Sequence, residues 1–179
     1  MKRLALMVLM LAALASPAFA QYGGLGLFSD VQGNSCNLTD AGGTIQVHVF
    51  HILNPGEESS GSRWKMVPPA GAVWVYLAFS STFSSIGQAD SDISIGYSGC
   101  LTTTTYLGMA FWTSAVPGGT CTYVTITAPL GGEAEGTDCD FAAVTLRKSG
   151  VAIVNPDAGC QCNIPTQPST WGQVKALYR

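Results

Sequence analysis

Charged residues are scarce in this chain, and basic ones are the scarcest. Its 179 residues include 8 lysines and arginines, 11 aspartates and glutamates and 2 histidines, so charged residues make up 11% of the sequence. Ordinary soluble domains contain about 25%. Binding to phosphates or to an anionic lipid surface requires clustered lysine and arginine side chains. The composition therefore argues against a nucleic-acid partner and against a membrane-surface protein.

The chain also lacks a hydrophobic run long enough to span a bilayer, which takes about 20 residues. Its apolar run, Leu4 to Ala15, follows the basic pair Lys2 and Arg3. Ala18-Phe19-Ala20 then has the small-x-small pattern that signal peptidases recognise. The sequence predicts a signal peptide over residues 1–20 and one secreted or periplasmic domain over residues 21–179, with no membrane insertion after the signal is removed.

Cysteines are plentiful, and all six lie in the predicted exported part: Cys36, Cys100, Cys121, Cys139, Cys160 and Cys162. An oxidising compartment favours three disulfides among them. A bond between Cys160 and Cys162 would be strained because disulfides need a specific Cα separation and orientation. The alternative is a zinc site that includes these two cysteines, but zinc sites prefer wider spacing and a second matching pair.

The pairing follows from a layout in which successive strands run up and down. This layout favours Cys36–Cys100, with Cys139 bonded to Cys160 or Cys162 and Cys121 bonded to the cysteine that remains. It also predicts that Cys100 and Cys121 do not bond each other. They flank a predicted strand of about ten residues, which puts them roughly 30 Å apart.

Short runs of β-branched and aromatic residues alternate with turn residues along the whole domain. This pattern predicts an all-β fold, an antiparallel two-sheet sandwich stapled by disulfides. The predicted strands are Leu25–Asp30, Thr44–Ile52, Arg63–Val67, Val73–Phe79, Asp92–Tyr97, Thr104–Thr113, Thr122–Ala128, Phe141–Arg147 and Val151–Val154.

One segment near the end of the chain predicts a short C-terminal helix. Ser169 or Thr170 supplies a capping residue, and Trp171, Val174 and either Leu177 or Tyr178 recur at helical spacing. Two turns of helix are not stable in isolation. We therefore expect Trp171 to dock on the sandwich, or alternatively on a partner protein.

Several stretches resemble a group of uncharacterised secreted bacterial proteins. They are residues 33–38 (GNSCNL), 95–100 (IGYSGC), 154–163 (VNPDAGCQCN) and 169–178 (STWGQVKALY). The resemblance implies a self-contained, disulfide-containing β-sandwich with no known activity, and it supplies no catalytic residues. More loosely, the strand pattern is similar to cohesin and carbohydrate-binding-module sandwiches, which is an analogy of fold alone.

No stretch predicts a catalytic or metal centre. His48 and His51 lie three positions apart on a strand, so their side chains should point to opposite faces and cannot share an ion. The Gly96–Cys100 stretch resembles the hydrolase elbow G-x-S-x-G but lacks its last glycine and the helix that must follow. The acidic stretches 90–92 and 133–140 are typical of solvated turns, although calcium binding is the alternative. We therefore expect no cofactor and no metal.

Strand alternation places five aromatic side chains on the outer face of a sheet, provided that their strands share that sheet. The five are Trp74, Tyr76, Tyr106, Trp112 and Tyr123. The positions assigned to the core by the same rule are Val73, Val75, Leu77, Phe79, Leu107, Met109, Phe111, Val124 and Ile126. An open face of this kind would stack on sugars or anchor a protein. The alternative is that residues 52–66 or the C-terminal helix cover it, or that these are ordinary cross-strand pairs.

These observations favour a secreted, non-enzymatic protein with a role in binding, adhesion or envelope structure. Its partner would be a protein or a glycan held by the aromatic face. A carbohydrate-binding module is the second hypothesis. A secreted hydrolase is a distant third, since no nucleophile and base are recognisable as a pair.

Overall fold

The computed structural model describes residues 22–148 and 150–162, and all regular structure within them is β. The predicted signal peptide and the predicted helix around Trp171 lie outside these residues. Within the described part, no helix is long and apolar enough to cross a membrane. The prediction of an all-β fold is confirmed.

Twelve strands follow one another in the described residues. In chain order they are β1 (Tyr22–Phe28), β2 (Asn37–Leu38), β3 (Gly43–Ile52), β4 (Ser59–Val67), β5 (Val73–Ser81), β6 (Ser84–Gln88), β7 (Asp92–Leu101), β8 (Thr105–Val116), β9 (Thr122–Thr127), β10 (Glu135–Thr137), β11 (Ala143–Lys148) and β12 (Ala152–Val154). The nine predicted strands are all present with shifted ends. The three missed ones, β2, β6 and β10, are short and rich in polar residues or glycine.

The strands form two packed layers. The first layer has the order β11-β1-β3-β8-β5, in which β1 pairs parallel to β11 and the other neighbours are antiparallel. The second layer contains β6-β7-β4, and β4 continues to β10 and to β9, β12 and β2. Strand β10 also pairs with β11 and joins the layers at one side. On the opposite side β5 and β6 are the edge strands.

The core lies between the layers because each strand turns one row of side chains inward. Its largest fully buried members are Trp64, Trp112, Leu25, Leu27, Met66, Ile93, Ile95, Leu107 and Leu146. Along β4 the buried Trp64 and Met66 alternate with the outward-facing Arg63, Lys65 and Val67. This alternation is what leaves a row of β4 side chains free to form an external surface.

Three disulfides join all six cysteines: Cys36–Cys162, Cys100–Cys139 and Cys121–Cys160. The predicted Cys36–Cys100 bond is wrong, and so is the bond from Cys139 to Cys160 or Cys162. Strand β10, which the sequence did not reveal, runs beside β4 opposite β7. The chain just past the end of β10 crosses the start of β4, where Ser60 Oγ donates a hydrogen bond to the carbonyl oxygen of Asp138, and this brings the Cα atoms of Cys139 and Cys100 to 5.6 Å.

The other disulfides are explained by β12, which lies between β2 and β9. Cys36 immediately precedes β2, and Cys121 immediately precedes β9. Residues 155–162 return past both, so Cys160 meets Cys121 and Cys162 meets Cys36. The prediction that Cys100 and Cys121 are not bonded is confirmed. Cys160 and Cys162 are both in disulfides. They are therefore not ligands of a zinc ion, which was the alternative that their spacing suggested.

Candidate binding groove

The structure does not bring the five predicted aromatic residues together on one open face. Trp74 and Trp112 are buried, with 8% and 1% of their surface exposed, and Tyr76 is partly buried. The ring centroid of Trp112 lies 6.0 Å from that of Trp74 and 5.3 Å from that of Tyr76. The prediction that these side chains face outward is wrong, because they pack between the two layers.

Two bulges account for the error. In β5 the pairing with β8 shifts between Tyr76 and Ala78, so Phe79 packs inward on Trp64 although Val73, Val75 and Leu77 face solvent. In β8 the pairing with β3 shifts opposite Val49 and Phe50, around Leu107. A bulge inserts one residue and reverses the alternation beyond it. Inward and outward positions that are assigned by alternation from one end of such a strand are therefore wrong at the other end.

Tyr106 and Tyr123 lie on separate surfaces. Tyr106 packs against Phe50, with ring centroids 5.2 Å apart, and its hydroxyl lies 3.2 Å from His48 Nδ1 on the outer side of the first layer. Tyr123 is on β9 in the second layer and is 49% exposed. Binding of a ligand through Tyr123 stays a prediction, but the residues that the structure describes form no shared aromatic surface for it to join.

The two histidines point to opposite faces of β3, as their spacing predicts. His51 is fully buried in the core, where its Nδ1 shares a hydrogen bond of 2.7 Å with the Tyr97 hydroxyl. Burial lowers the pKa of His51 to about 4, although the charge of Glu57 acts in the opposite direction. Burial also raises the pKa of Tyr97. Both groups are neutral at pH 7, and they act as a structural pair.

We expect His51 to make stability depend on pH. Its folded pKa of about 4 lies below the ordinary 6.5. Between these two pH values the imidazole is protonated in the unfolded chain but stays neutral in the folded chain. Stability should therefore fall by about 3 kcal/mol as the pH drops from 6.5 to 4. Urea titrations at several pH values measure this. His51→Gln should remove most of the pH dependence of the free energy of unfolding, whereas His48→Gln should leave most of it. If the wild type and His51→Gln lost stability equally between pH 6.5 and 4, His51 would not be the responsible group.

The stretches that resembled catalytic or metal sites have structural roles. Ser98 lies within the continuous strand β7 rather than at a strand-to-helix turn, and it faces away from the side on which Tyr97 meets His51. Two groups of possible metal ligands occur among the described residues, and each contains the two sulfurs of one disulfide. Bonded sulfurs are not thiolates and do not supply the ligands that a soft metal needs.

A groove of about 650 Å³ crosses the outer face of the second layer, over β7, β4, β10 and the start of β11. Its floor includes small residues on adjacent strands: Gly61, Ser94, Gly96 and Thr137. A Cβ atom added at Gly96 would meet no atom within 4 Å. The floor is therefore open at Gly96, where a ligand can approach the sheet closely.

One ion-pair network crosses the floor of the groove. The Arg63 guanidinium donates two hydrogen bonds to Asp92, from Nε to Oδ1 at 2.9 Å and from Nη2 to Oδ2 at 2.6 Å. Its Nη1 lies 3.6 Å from Glu135 Oε2. The hydrogen bond from Arg63 lowers the pKa of Asp92. Because both acidic neighbours already neutralise Arg63, the groove offers no free cation for an anionic ligand.

One end of the groove is bordered by Phe141, whose side chain is 81% exposed. The sequence predicted a strand at this position, but Phe141 lies in a turn with a φ of 63°. Asp138 fixes that turn by accepting hydrogen bonds from the backbone of Asp140 and Ala142. The Cys100–Cys139 disulfide then ties the turn to β7.

The left-handed conformation is costly for a bulky residue. Exposing an aromatic ring to water gains nothing for folding. Phe141 therefore combines two unfavourable features at the edge of a groove, which is the pattern expected of a functional residue. The sequence signal for it was present in the turn formers Asp138 and Asp140, but the β-branched residues that follow hid it.

Comparisons with known proteins support the fold. No protein-family profile matches the chain, and no curated protein matches it. The structure is similar to a cohesin module of a family 33 glycoside hydrolase from Clostridium perfringens, with 12% identity and a TM-score of 0.55 over 77% of this chain and 100% of that one. A second similar structure, the sixth cohesin of Acetivibrio cellulolyticus scaffoldin B in complex with a mutant Cel5 dockerin, has 13% identity and a TM-score of 0.49 over 76% of this chain and 100% of that one. The chain thus has a cohesin-like β-sandwich fold.

Proposed function

We propose that this chain is a secreted, non-enzymatic protein-binding module whose partner docks in the groove over β7, β4 and β10. The observation that carries the proposal is Phe141, an exposed aromatic ring held in an unfavourable backbone conformation at the groove edge. Aromatic residues are enriched among the side chains that dominate protein interfaces. The fold, which is similar to that of a cohesin module, is compatible with this class of function.

The shape of the groove supports a protein ligand over a small molecule. Small-molecule sites are concave and bury most of the ligand, whereas this groove is a shallow sheet surface with a floor of glycine, serine and threonine. Such a floor allows the backbone of a partner to lie close to the sheet while Phe141 inserts beside it. The neutralised Arg63 favours a partner that is not strongly charged.

Export belongs to the same proposal. Three disulfides are typical of proteins that fold in an oxidising compartment. The predicted signal peptide over residues 1–20 gives a route to that compartment. A carbohydrate partner has no comparable support, because Trp74 and Trp112, the two largest rings of the predicted sugar platform, are buried.

Filling the groove should abolish partner binding without harming the fold. Gly96→Tyr places a ring over the floor, and its Cβ has free space. Gly99→Tyr is the matched control, since Gly99 is on the same strand, has similar space and does not line the groove. The wild-type chain is used as bait on proteins secreted by the source organism, and the captured protein is then titrated by calorimetry against all three chains. We expect at least about a 100-fold loss of affinity for Gly96→Tyr.

The control should keep wild-type affinity, and both variants should melt within a few degrees of the wild type. Phe141→Ala serves as a second probe and should weaken the same partner by about 10-fold or more. A partner that binds Gly96→Tyr and Phe141→Ala as tightly as the wild type would place the site elsewhere. A soluble glycan bound by the wild type and lost in Gly96→Tyr would replace the protein-binding function with sugar recognition.

A further inference from the structure

The second surface of interest is the outer side of β5, in the opposite layer from the groove. Among the described residues β5 pairs only with β8, so its other edge is free to accept a strand. Natural edge strands are usually protected by a lysine, a proline, an inward-pointing charge or a bulge. Strand β5, with the sequence VWVYLAFSS, has no lysine, proline or charged residue, and its bulge lies beside Leu77. Residues 73–76 are thus an unprotected stretch of edge.

The same strand carries a row of exposed apolar side chains. Val73, Val75 and Leu77 are 50%, 52% and 54% exposed and alternate along the outer face. Val116 on β8, which pairs with Val73, adds a fourth at 46%. Contiguous apolar surface of this kind marks contact sites on soluble proteins. A free strand edge beside an apolar row is suited to pairing with another strand.

We propose that β5 pairs antiparallel with β5 of a second copy of this chain, with the two-fold axis at Val75. This register puts Val75 opposite its own counterpart and Val73 opposite Leu77 of the second copy. Three apolar cross-strand pairs would then lie on one face, with Cβ atoms about 4.5–5.5 Å apart. The first layers of the two copies would join in one continuous sheet.

A second copy is the occupant that the charge and pattern of β5 favour. A symmetric interface must be self-complementary, because each patch meets itself. Residues 72–83 contain no charged side chain, so self-pairing brings no like charges together although the chain as a whole has a formal charge of −3. The apolar row is also symmetric about Val75, with one large aliphatic residue two positions away on either side. This inference is independent of the groove function.

Sedimentation velocity of the mature chain over a concentration series tests the proposal. We expect a concentration-dependent dimer. Val75→Lys places two ammonium groups opposite each other at the axis and should raise the dimer dissociation constant about 100-fold or more. Val67→Lys is the matched control, because Val67 is 37% exposed near the end of β4 in the other layer, and it should dimerise like the wild type. Thermal melts should show that both variants remain folded.

Engineered cysteines test the register. Val75→Cys should cross-link to itself under mild oxidation. Val73→Cys and Leu77→Cys should cross-link mainly to each other when the two chains are mixed. A wild-type chain that remains monomeric at millimolar concentration would overturn the proposal. A dimer that tolerates Val75→Lys would also overturn it, and so would equally efficient cross-linking of all three cysteines. These last two results are not compatible with a two-fold axis at Val75.

Discussion

Replacing Trp112 with alanine should lower the free energy of unfolding by about 3–5 kcal/mol, as large-to-small changes in cores do. Trp112 is 1% exposed, and its ring contacts both Trp74 and Tyr76 between the layers. The substitution would leave a cavity that the paired strands on either side cannot collapse to fill. Urea denaturation of the purified chain at pH 7 measures the difference.

Two further variants separate packing from surface effects. Trp112→Phe keeps most of the ring and removes an indole N–H that has no hydrogen-bond partner in the described structure, so it should cost less than about 1.5 kcal/mol. Tyr123→Ala removes a ring that is 49% exposed and should change stability by no more than about 0.5 kcal/mol. A Trp112→Ala protein as stable as the wild type would mean that this ring faces water, as strict alternation had indicated.

The local sequence pattern was enough to predict where the long strands lie, because each long strand is a run of β-branched and aromatic residues between turn-forming residues. It was not enough to predict which way their side chains face. The bulge beside Leu77 and the one around Leu107 each insert a residue, and their position depends on the partner strand. Strand β10 shows the same limit, since Glu135-Gly136-Thr137 has no strong β preference and pairs only because β4 and β11 flank it.

The groove could not be predicted for a related reason. Gly61, Gly96 and Thr137 are far apart in the sequence and become neighbours only through the pairing of β4 with β7 and β10. The position of the Phe141 turn beside β7 likewise depends on the Cys100–Cys139 disulfide, whose pairing was predicted incorrectly. The number of disulfides was predictable from compartment and cysteine count, but their connectivity required the order of strands in the second layer.

One polar residue of the core was not predicted from the sequence. Asp40 is 4% exposed, and its Oδ2 accepts hydrogen bonds from Trp74 Nε1 at 2.7 Å, Ser114 Oγ at 3.1 Å and the Gly118 backbone N–H at 2.8 Å. Burial by itself would raise the pKa of this carboxyl. The hydrogen bonds outweigh burial and hold its pKa below the ordinary 3.8. A single carboxylate thus ties β5, β8 and the turn after β8 together.

Asp40→Ala should therefore destabilise the chain by about 3–5 kcal/mol, since it leaves several buried donors without an acceptor and each costs about 1–3 kcal/mol. Asp40→Asn keeps the volume and one acceptor oxygen and should cost less, about 2 kcal/mol. Chemical denaturation at pH 7 compares the three chains. If Asp40→Ala lowered the free energy of unfolding less than Asp40→Asn does, the hydrogen bonds to the Asp40 carboxylate would not be stabilising the fold.

The pH dependence gives the same residue an independent test. A folded pKa below the unfolded one means that the stabilisation is complete above pH 3.8 and is lost as the pH falls through the folded value. His51 acts in a separate window, between pH 6.5 and about 4. Asp40→Asn should therefore abolish only the loss of stability below pH 3.8, whereas His51→Gln should abolish only the loss above pH 4. A double variant that retains the wild-type slope in either window would show that other groups are responsible there.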